Sequence, residues 1–141
     1  MANVIPYSFR GELFTGTHNF ASGGDSFKLA LYTANPYNTS STAYSSTSEV
    51  SASGTAYTTT GNTLTGNAVA YGTAVASCDF ADTSWSSATF TAAFGAIYND
   101  DQSDKLCVVL DFSGDKTCTN GTFTITFPSP STPADAIISM A

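Results

Sequence analysis

Side chains able to do acid–base or nucleophilic chemistry are few in this chain. His18 is the only histidine, so any serine, threonine or cysteine nucleophile activated by an imidazole would have to use it. The sequence contains neither a GxSxG elbow nor a phosphate-binding P-loop. His18 stands between Thr17 and Asn19 in a turn-like stretch, which favours a structural hydrogen-bonding role over a catalytic one.

The three cysteines do not form a recognisable metal or disulfide pattern. Cys78, Cys107 and Cys118 are odd in number and lack CxxC spacing, and the first ten residues lack the pattern of an export signal. We therefore expect free thiols, with Cys107 acting as a small apolar side chain in a strand. A zinc site needs about four ligands close together, so the sequence predicts no metal site.

The carboxylates are also not spaced as a reactive pair. Glycoside cleavage needs two of them converging on a cleft, and nothing brings together the candidates Glu12, Glu49, Asp79, Asp82 and Asp111. The acidic stretch 99–104 lacks the alternating ligands, central glycine and closing glutamate of an EF-hand loop. The sequence therefore predicts no catalytic residue, no cofactor and no enzymatic activity.

Composition and charge exclude several classes of protein. The 141 residues suit one domain. Of these residues, 42% are hydrophobic and only 11% are charged. Much of the remainder is uncharged and polar, with 19 serines and 22 threonines. Four basic against 11 acidic residues give a net charge of −7. Such a chain has no basic patch for phosphates or anionic lipid and no apolar run of the ~20 residues that span a bilayer. We expect neither nucleic acid nor membrane as a partner.

Four segments show the period-two alternation of half-buried antiparallel strands, namely 26–33, 88–98, 105–112 and 122–127. The apolar residues predicted to share a face within each segment are Phe27, Leu29, Leu31; Phe90, Ala92, Phe94, Ala96, Tyr98; Leu106, Val108, Leu110, Phe112; and Phe123, Ile125, Phe127. Threonine and aromatic enrichment agrees with strand structure.

Two turn-rich stretches between these segments, 99–104 and 113–121, predict hairpin loops. Placing Phe94 opposite Leu110 keeps apolar side chains together and gives the first loop an odd length, which we predict to be five residues. In the segments 105–112 and 122–127, the apolar residues have even and odd numbers respectively. Placing them on one face therefore gives the second loop an even length. A one-residue slip would move each apolar side chain to the other face.

The middle of the chain, 35–73, has two interpretations. Its few large apolar groups allow a disordered, low-complexity linker. Short strands are favoured because disordered tracts usually have more charge and less tyrosine; they are predicted at 49–51, 55–60 and 62–65. The residues that could point inward are Tyr44, Val50, Tyr57, Leu64, Val69 and Tyr71. A further strand is predicted at 75–80, and Trp85 should close one end of the core.

The two ends differ from the body. Residues 9–20 could form a short helix or a strand, and Gly11 and Gly16 weaken the helical alternative. The proline-rich stretch 128–133 cannot join a central strand, so we expect an extended arm that carries Ile137, Ile138 and Met140 away from the sheet.

About eight strands favour one all-β domain, an antiparallel two-sheet sandwich that is jelly-roll-like, with extended N- and C-terminal arms. The predicted single domain spans 1–141, with a core at about 24–128, an N-terminal segment at 1–23 and a C-terminal arm at 129–141.

Several strings of this sequence resemble small virion proteins of tailed bacteriophages. The most specific is Asp-Phe-Ala-Asp-x-x-Trp, which begins the matching stretch 79–92. The other matching segments are 12–13, 16–20, 25–33, 96–99, 108–116 and 120–128. The resemblance covers the chain from about residue 10 to 128, with a more variable middle at 37–73, and does not extend to the tail beyond Pro130.

This resemblance implies a capsid decoration, or cement, protein on the exterior of a phage head that is assembled in the host cytoplasm. It would bind the major capsid protein, bridge capsomers through many weak contacts, and associate with itself as a homo-trimer or homo-dimer. The alternatives are a tail, neck or fibre component of the virion, and a carbohydrate-binding β module suggested by Trp85 and the tyrosines. The residues expected at an interface are Arg10, Phe14, His18, Phe20, Tyr37, Tyr44, Pro128, Pro130, Pro133, Ile137 and Ile138.

Overall fold

Two antiparallel sheets and one helix make up the part of the chain that this computed structural model describes, residues 3–128 and 136–140. The elements are helix α1 (Tyr7–Phe14) and strands β1 (Phe27–Tyr32), β2 (Asn62–Thr63), β3 (Ala68–Tyr71), β4 (Ala76–Asp79), β5 (Thr83–Asn99), β6 (Lys105–Ile125) and β7 (Ile138–Met140). One sheet has the order β2-β1-β5-β6 and the other β3-β4-β7. The predicted all-β class with two antiparallel sheets is confirmed.

Within the N-terminal segment, Tyr7–Phe14 forms α1 and buries Phe9 in the core, so the extended N-terminal arm that was predicted is wrong there. A glycine ends this helix. Gly16 adopts a left-handed conformation with φ of 68°. Its N–H donates to the carbonyl of Leu13, and the N–H of Thr17 donates to the carbonyl of Glu12. This is the Schellman arrangement, which satisfies carbonyls at a helix end. Gly16 thus terminates the helix and does not oppose it. Within the described residues, no helix is long and apolar enough to cross a membrane.

The loop between β5 and β6 has the predicted five residues. Asn99 pairs with Lys105, and a 3-10 helix, Asp100–Gln102, occupies the turn. The side chain of Asn99 accepts a hydrogen bond from the backbone N–H of Asp101, which fixes the start of that turn.

The predicted pairing of Phe94 with Leu110 is wrong by one residue. Phe94 pairs with Asp111, because the register shifts between Tyr98↔Leu106 and Ile97↔Val108 and leaves Cys107 as an extra residue. Such a β-bulge changes the side-chain alternation. Leu106 therefore lies on the opposite face of the sheet from Val108 and Leu110.

A second bulge interrupts the predicted stripe of β5. The register also shifts between Ala92 and Phe94, so Phe90 and Ala92 pack in one apolar cluster, whereas Phe94, Ala96 and Tyr98 pack in the other. The single face predicted for 88–98 is therefore wrong. In contrast, the stripes of 26–33 and 122–127 each remain in one cluster.

The second predicted hairpin, at 113–121, does not exist. Strand β6 continues through this stretch and pairs with β5 along its length. Positive φ angles at Ser113, Gly114 and Asn120 accommodate extra residues as bulges, so these turn-forming residues bend the ribbon without reversing it. The consequence is one long two-stranded ribbon, the β5–β6 ribbon.

The middle of the chain is ordered but contains fewer strands than predicted. Only Asn62–Thr63 forms a strand among the three that were expected; Glu49 makes a single bridge to Tyr32, and 55–60 is a turn region. The strand at 75–80 is confirmed as β4. Val69 and Tyr71, predicted to point inward, are 40% and 83% exposed, because they lie on β3 at the edge of its sheet.

The C-terminal residues do not extend away from the sheets. Ile138–Met140 pairs with β4, with Cys78 opposite Ile138, and Ile138 is buried. The arm prediction is wrong for this part, because prolines prevent ladder pairing only where they stand and the apolar residues after them remain able to pair. Pro130 and Pro133 lie outside the described residues.

Apolar side chains cover both faces of the β2-β1-β5-β6 sheet. The face toward the other sheet and α1 contains the larger cluster, in which the rings of Phe20 and Phe27 stack at 4.3 Å between centroids. On the opposite face, Tyr32 and Tyr98 pack under the stretch 33–48. Strand β1 is therefore enclosed on both sides, which makes the sheet a rigid support for the surfaces around it.

Candidate interaction surfaces

A polar junction of Glu12, His18, Asp25, Asn99 and Lys105 joins the N-terminal segment to the β5–β6 turn. The Nε2 atom of His18 lies 2.8 Å from Oε2 of Glu12, and Nζ of Lys105 lies 2.8 Å from Oε1 of Glu12. The Nδ2 atom of Asn99 lies 2.9 Å from Nδ1 of His18 and 2.8 Å from Oδ2 of Asp25. The side chain of His18 is completely buried.

The hydrogen bonds of Asn99 assign donor and acceptor roles to the two ring nitrogens of His18. Because the Asn99 amide donates to Nδ1 of His18, that nitrogen accepts, and Nε2–H donates to Glu12. Burial works against the charge of Glu12, but its hydrogen bonds from Lys105 and His18 outweigh this and lower its pKa. The same balance, with bonds from Asn99 and from the backbone of Asn19, lowers the pKa of Asp25. His18 is therefore a buried, hydrogen-bonded side chain that links Glu12 to Asn99.

Glu49 is the acceptor of a second buried network. Its Oε2 accepts from the hydroxyl of Tyr44 at 2.6 Å, and its Oε1 accepts from the hydroxyl of Tyr57 at 2.8 Å and from the N–H of Thr60 at 2.7 Å. Burial, together with the Glu49 charge, raises the pKa of both tyrosines. The network ties the middle of the chain to β1, because Tyr57 also accepts from the N–H of Leu31.

The candidate carboxylates do not converge on one cleft. Glu12 and Glu49 belong to the separate networks above, and Asp82 accepts from the N–H of Phe127. Asp79 is 8% exposed, and its Oδ1 has no hydrogen-bond partner among the described residues. Across 3–128 and 136–140, no three or more His, Cys, Asp and Glu residues are grouped so that they could hold a metal ion.

Trp85 lies in the core. It is 3% exposed and packs against the rings of Tyr57, Phe90 and Phe123 at centroid distances of about 6 Å. Its predicted core role is confirmed. Trp85 is therefore not accessible for stacking on a sugar, whereas two tyrosines, Tyr7 and Tyr71, are exposed.

One face of the β5–β6 ribbon is exposed and rich in hydroxyl groups; we call it the hydroxyl face. Its exposed side chains are Ser84, Ser86, Ser87, Thr89, Thr117, Thr119, Thr122 and Thr124. None of these side chains is charged. Cross-strand register places Ser84 opposite Thr124, and the hydroxyl of Thr91 lies 2.8 Å from that of Thr117. The buried partners on the other side of the ribbon, such as Phe90, anchor this face to the core.

A second surface combines an apolar pocket with an exposed ring. The pocket, about 120 Å³ in volume, lies between α1 and the β3-β4-β7 sheet. Its lining includes Phe9, Leu13, Phe20, Val69, Cys78 and Met140. Phe14 is next to Leu13 in the chain and is 93% exposed. Large exposed apolar groups beside an apolar pocket are typical of binding surfaces.

The predicted interface residues are distributed over several environments. Arg10 and Phe14 are exposed on α1, and the guanidinium of Arg10 lies over the ring of Tyr7. The side chains that are buried within the protomer are those of His18, Phe20, Tyr37 and Ile138. The half-buried residues are Tyr44, Pro128 and Ile137. Pro130 and Pro133 lie outside the described residues.

Sequence reasoning missed the exposure of Val69 and Tyr71. Alternation shows that a strand has two faces but does not show which face is covered, so no signal in the sequence distinguished them.

No family model, curated protein or solved structure matches this chain.

Proposed function

We propose that this chain is a structural, non-enzymatic protein of a tailed-phage virion that decorates the outside of the head and stabilises the shell. Its partner would be the major capsid protein, and its location the capsid exterior. The observation that carries the proposal is the hydroxyl face, a long exposed ribbon surface of uncharged serine and threonine side chains. The jelly-roll-like arrangement of the two sheets belongs to the same proposal.

The chemistry of the hydroxyl face suits a broad, repeated contact. Each hydroxyl can both donate and accept a hydrogen bond, so it can pair with either kind of group on a capsid surface. No charge has to be desolvated there, and charged residues are depleted in the cores of protein interfaces. Contacts of this kind are individually weak, but their number can make attachment tight when one subunit spans several capsomers.

Rigidity supports the same function. The ribbon is held by the inward packing of Trp85, Ala88 and Phe90, so the backbone under its outer face is already ordered before binding, which lowers the ordering cost. The stretch 79–92, which resembles small phage virion proteins, begins at the end of β4 and continues into strand β5 of this ribbon.

The number of copies in purified particles tests the head location. A decoration protein should occur on the order of hundreds of times per particle, because a closed shell repeats each interface over many capsomers. Quantitative densitometry against the major capsid protein measures this ratio. A few copies per particle would refute head decoration and support the alternative of a tail, neck or fibre component.

Charge placed on the hydroxyl face tests the surface itself. The double variant Ser86→Lys, Thr124→Lys should fold normally, because both positions are exposed, but should occupy shells lacking the protein at least about tenfold less tightly. Thr59→Lys, an exposed threonine outside the ribbon, is the control and should bind as the unaltered chain does. Equal occupancy by both variants would exclude the hydroxyl face as the contact.

A further inference from the structure

The pocket between α1 and the β3-β4-β7 sheet has room for one aromatic ring. Its volume of about 120 Å³ is close to the ~150 Å³ of an engineered apolar cavity that takes up benzene. Leu13 of α1 and two residues of the edge strands, Val69 and Met140, form part of its wall. The pocket is partly open to the surface, since Val69 and Met140 are 40% and 57% exposed.

A ring of matching size stands on the same surface. Phe14 exposes 93% of its area and directly follows Leu13, which lines the pocket. The buried stripe of α1 contains Phe9 and Leu13, and Phe14 is turned about 100° from Leu13 around the helix axis. Its ring therefore points away from its own pocket and outward from the protomer.

We propose that Phe14 of a second copy of this chain occupies the pocket, and that two copies exchange these rings around a two-fold axis. A two-fold contact requires that the same surface carry both the group and the site that receives it. The adjacent positions of Phe14 and the pocket meet this requirement. The contact is independent of the proposed attachment to a capsid.

The lining of the pocket permits a second copy as the occupant, and the small buried area predicts a weak contact. Each copy has a net charge of −7, yet among the described residues no acidic side chain lines the pocket. The two rings would bury ~300–500 Å², and Val69 and Met140 of each copy would add to this. The total stays below the ~1,200 Å² at which stable specific interfaces begin, so the dimer should be weak and should form and dissociate with concentration.

Sedimentation velocity of the full chain over a wide concentration range tests the proposal. The unaltered chain should pass from monomer to dimer as its concentration rises. Phe14→Ser should raise the dissociation constant about a thousandfold, because the two-fold axis removes the ring twice. Phe14→Leu should restore much of the dimer, since it returns an apolar group of similar size.

Two further variants separate the pocket from the ring. Ala76→Leu fills the pocket from β4 and should also abolish the dimer while Phe14 is intact. Tyr7→Ser removes another exposed ring of the same helix and should change the dissociation constant by less than about threefold. Circular dichroism and Trp85 fluorescence should show that each variant is folded.

Three results would overturn the proposal. The first is a chain that stays monomeric at every concentration. The second is a dimer that persists in Phe14→Ser. The third is a dimer lost in Phe14→Ser but kept in Ala76→Leu, which would place the ring in some other site.

Discussion

Replacement of Asn99 by alanine should show that the polar junction holds α1 and the β5–β6 turn together. Asn99 is fully buried, and its amide is the only group of the junction that bonds both His18 and Asp25. Its Oδ1 also accepts from the N–H of Asp101. Asn99→Ala removes all three hydrogen bonds at once.

The expected loss of unfolding free energy follows from the groups that each hydrogen bond of Asn99 joins. The bond to the charged Asp25 carboxylate contributes about 2 kcal/mol, and the bonds to His18 and to the Asp101 N–H about 1 kcal/mol each. We therefore expect Asn99→Ala to lower the free energy of unfolding by about 4 kcal/mol, a large part of the ~5–15 kcal/mol typical of a domain.

Urea unfolding followed by the fluorescence of Trp85, the single tryptophan, measures this loss. The pH dependence gives an independent check. The folded pKa of Asp25 lies below its ordinary value of 3.8, so the stability it contributes is present above pH 3.8 and is lost as the pH falls through the folded value. Asn99 supplies part of that stabilisation. The difference in the free energy of unfolding between Asn99→Ala and the unaltered chain should therefore shrink below pH 3.8.

Asn62→Ala is the matched control. Asn62 also donates two hydrogen bonds, to Oγ1 of Thr83 and to the carbonyl of Ser84, but it is half-buried, so water can replace them and the loss should be about 1 kcal/mol. Two results would refute the role of the polar junction in fixing α1. One is a loss of unfolding free energy in Asn99→Ala no larger than that in Asn62→Ala. The other is a loss in Asn99→Ala that stays the same below pH 3.8.

Three further outcomes are expected. Gly61→Ala should cost more than about 4 kcal/mol in the same urea assay, because a Cβ there would overlap the carbonyl of Leu29. Gly54→Ala has the same positive φ in open space and should cost only about 1–2 kcal/mol, so equal losses would refute the overlap. Tyr57 has a raised pKa through burial, so its contribution to stability is lost as the pH rises above about 10; absorbance titration should show it ionising with alkaline unfolding and not before. Burial raises the pKa of Cys78 to about 12, so thiol reagents at neutral pH should modify the buried Cys78 much more slowly than the half-buried Cys118. Equal labelling rates at the two positions would contradict this.

Much of the strand content could be predicted from the sequence, because alternation is a local property. Phe27, Leu29 and Leu31 share one face because alternate residues of a single pleated strand point to the same side. This stripe is found as predicted. The five-residue turn after Asn99 is also found, although the pairing of Phe94 with Leu110 from which its odd length was predicted is wrong. Errors begin where a strand must match a partner over many residues.

The candidate surfaces depend on such long-range matching. Glu12 and Lys105 are 93 positions apart, and no pattern in the sequence predicts their contact. The hydroxyl face could not be foreseen either, because 113–121 has the composition of a turn. Its strand structure comes from pairing with β5, which offers enough length to continue the ladder.

By itself, the sequence determined the all-β character and the acidic, charge-poor composition, since these follow from residue types and local periodicity. Only the tertiary structure decided which sides of β5 and β6 are covered. The bulge at Cys107 and the register shift before Phe94 move the side chains that follow them to the opposite face of the sheet. A bulge is a property of two paired strands, so neither strand alone encodes it. The same holds for Phe14, whose exposure is set by how α1 packs its Phe9 and Leu13 side against the sheets.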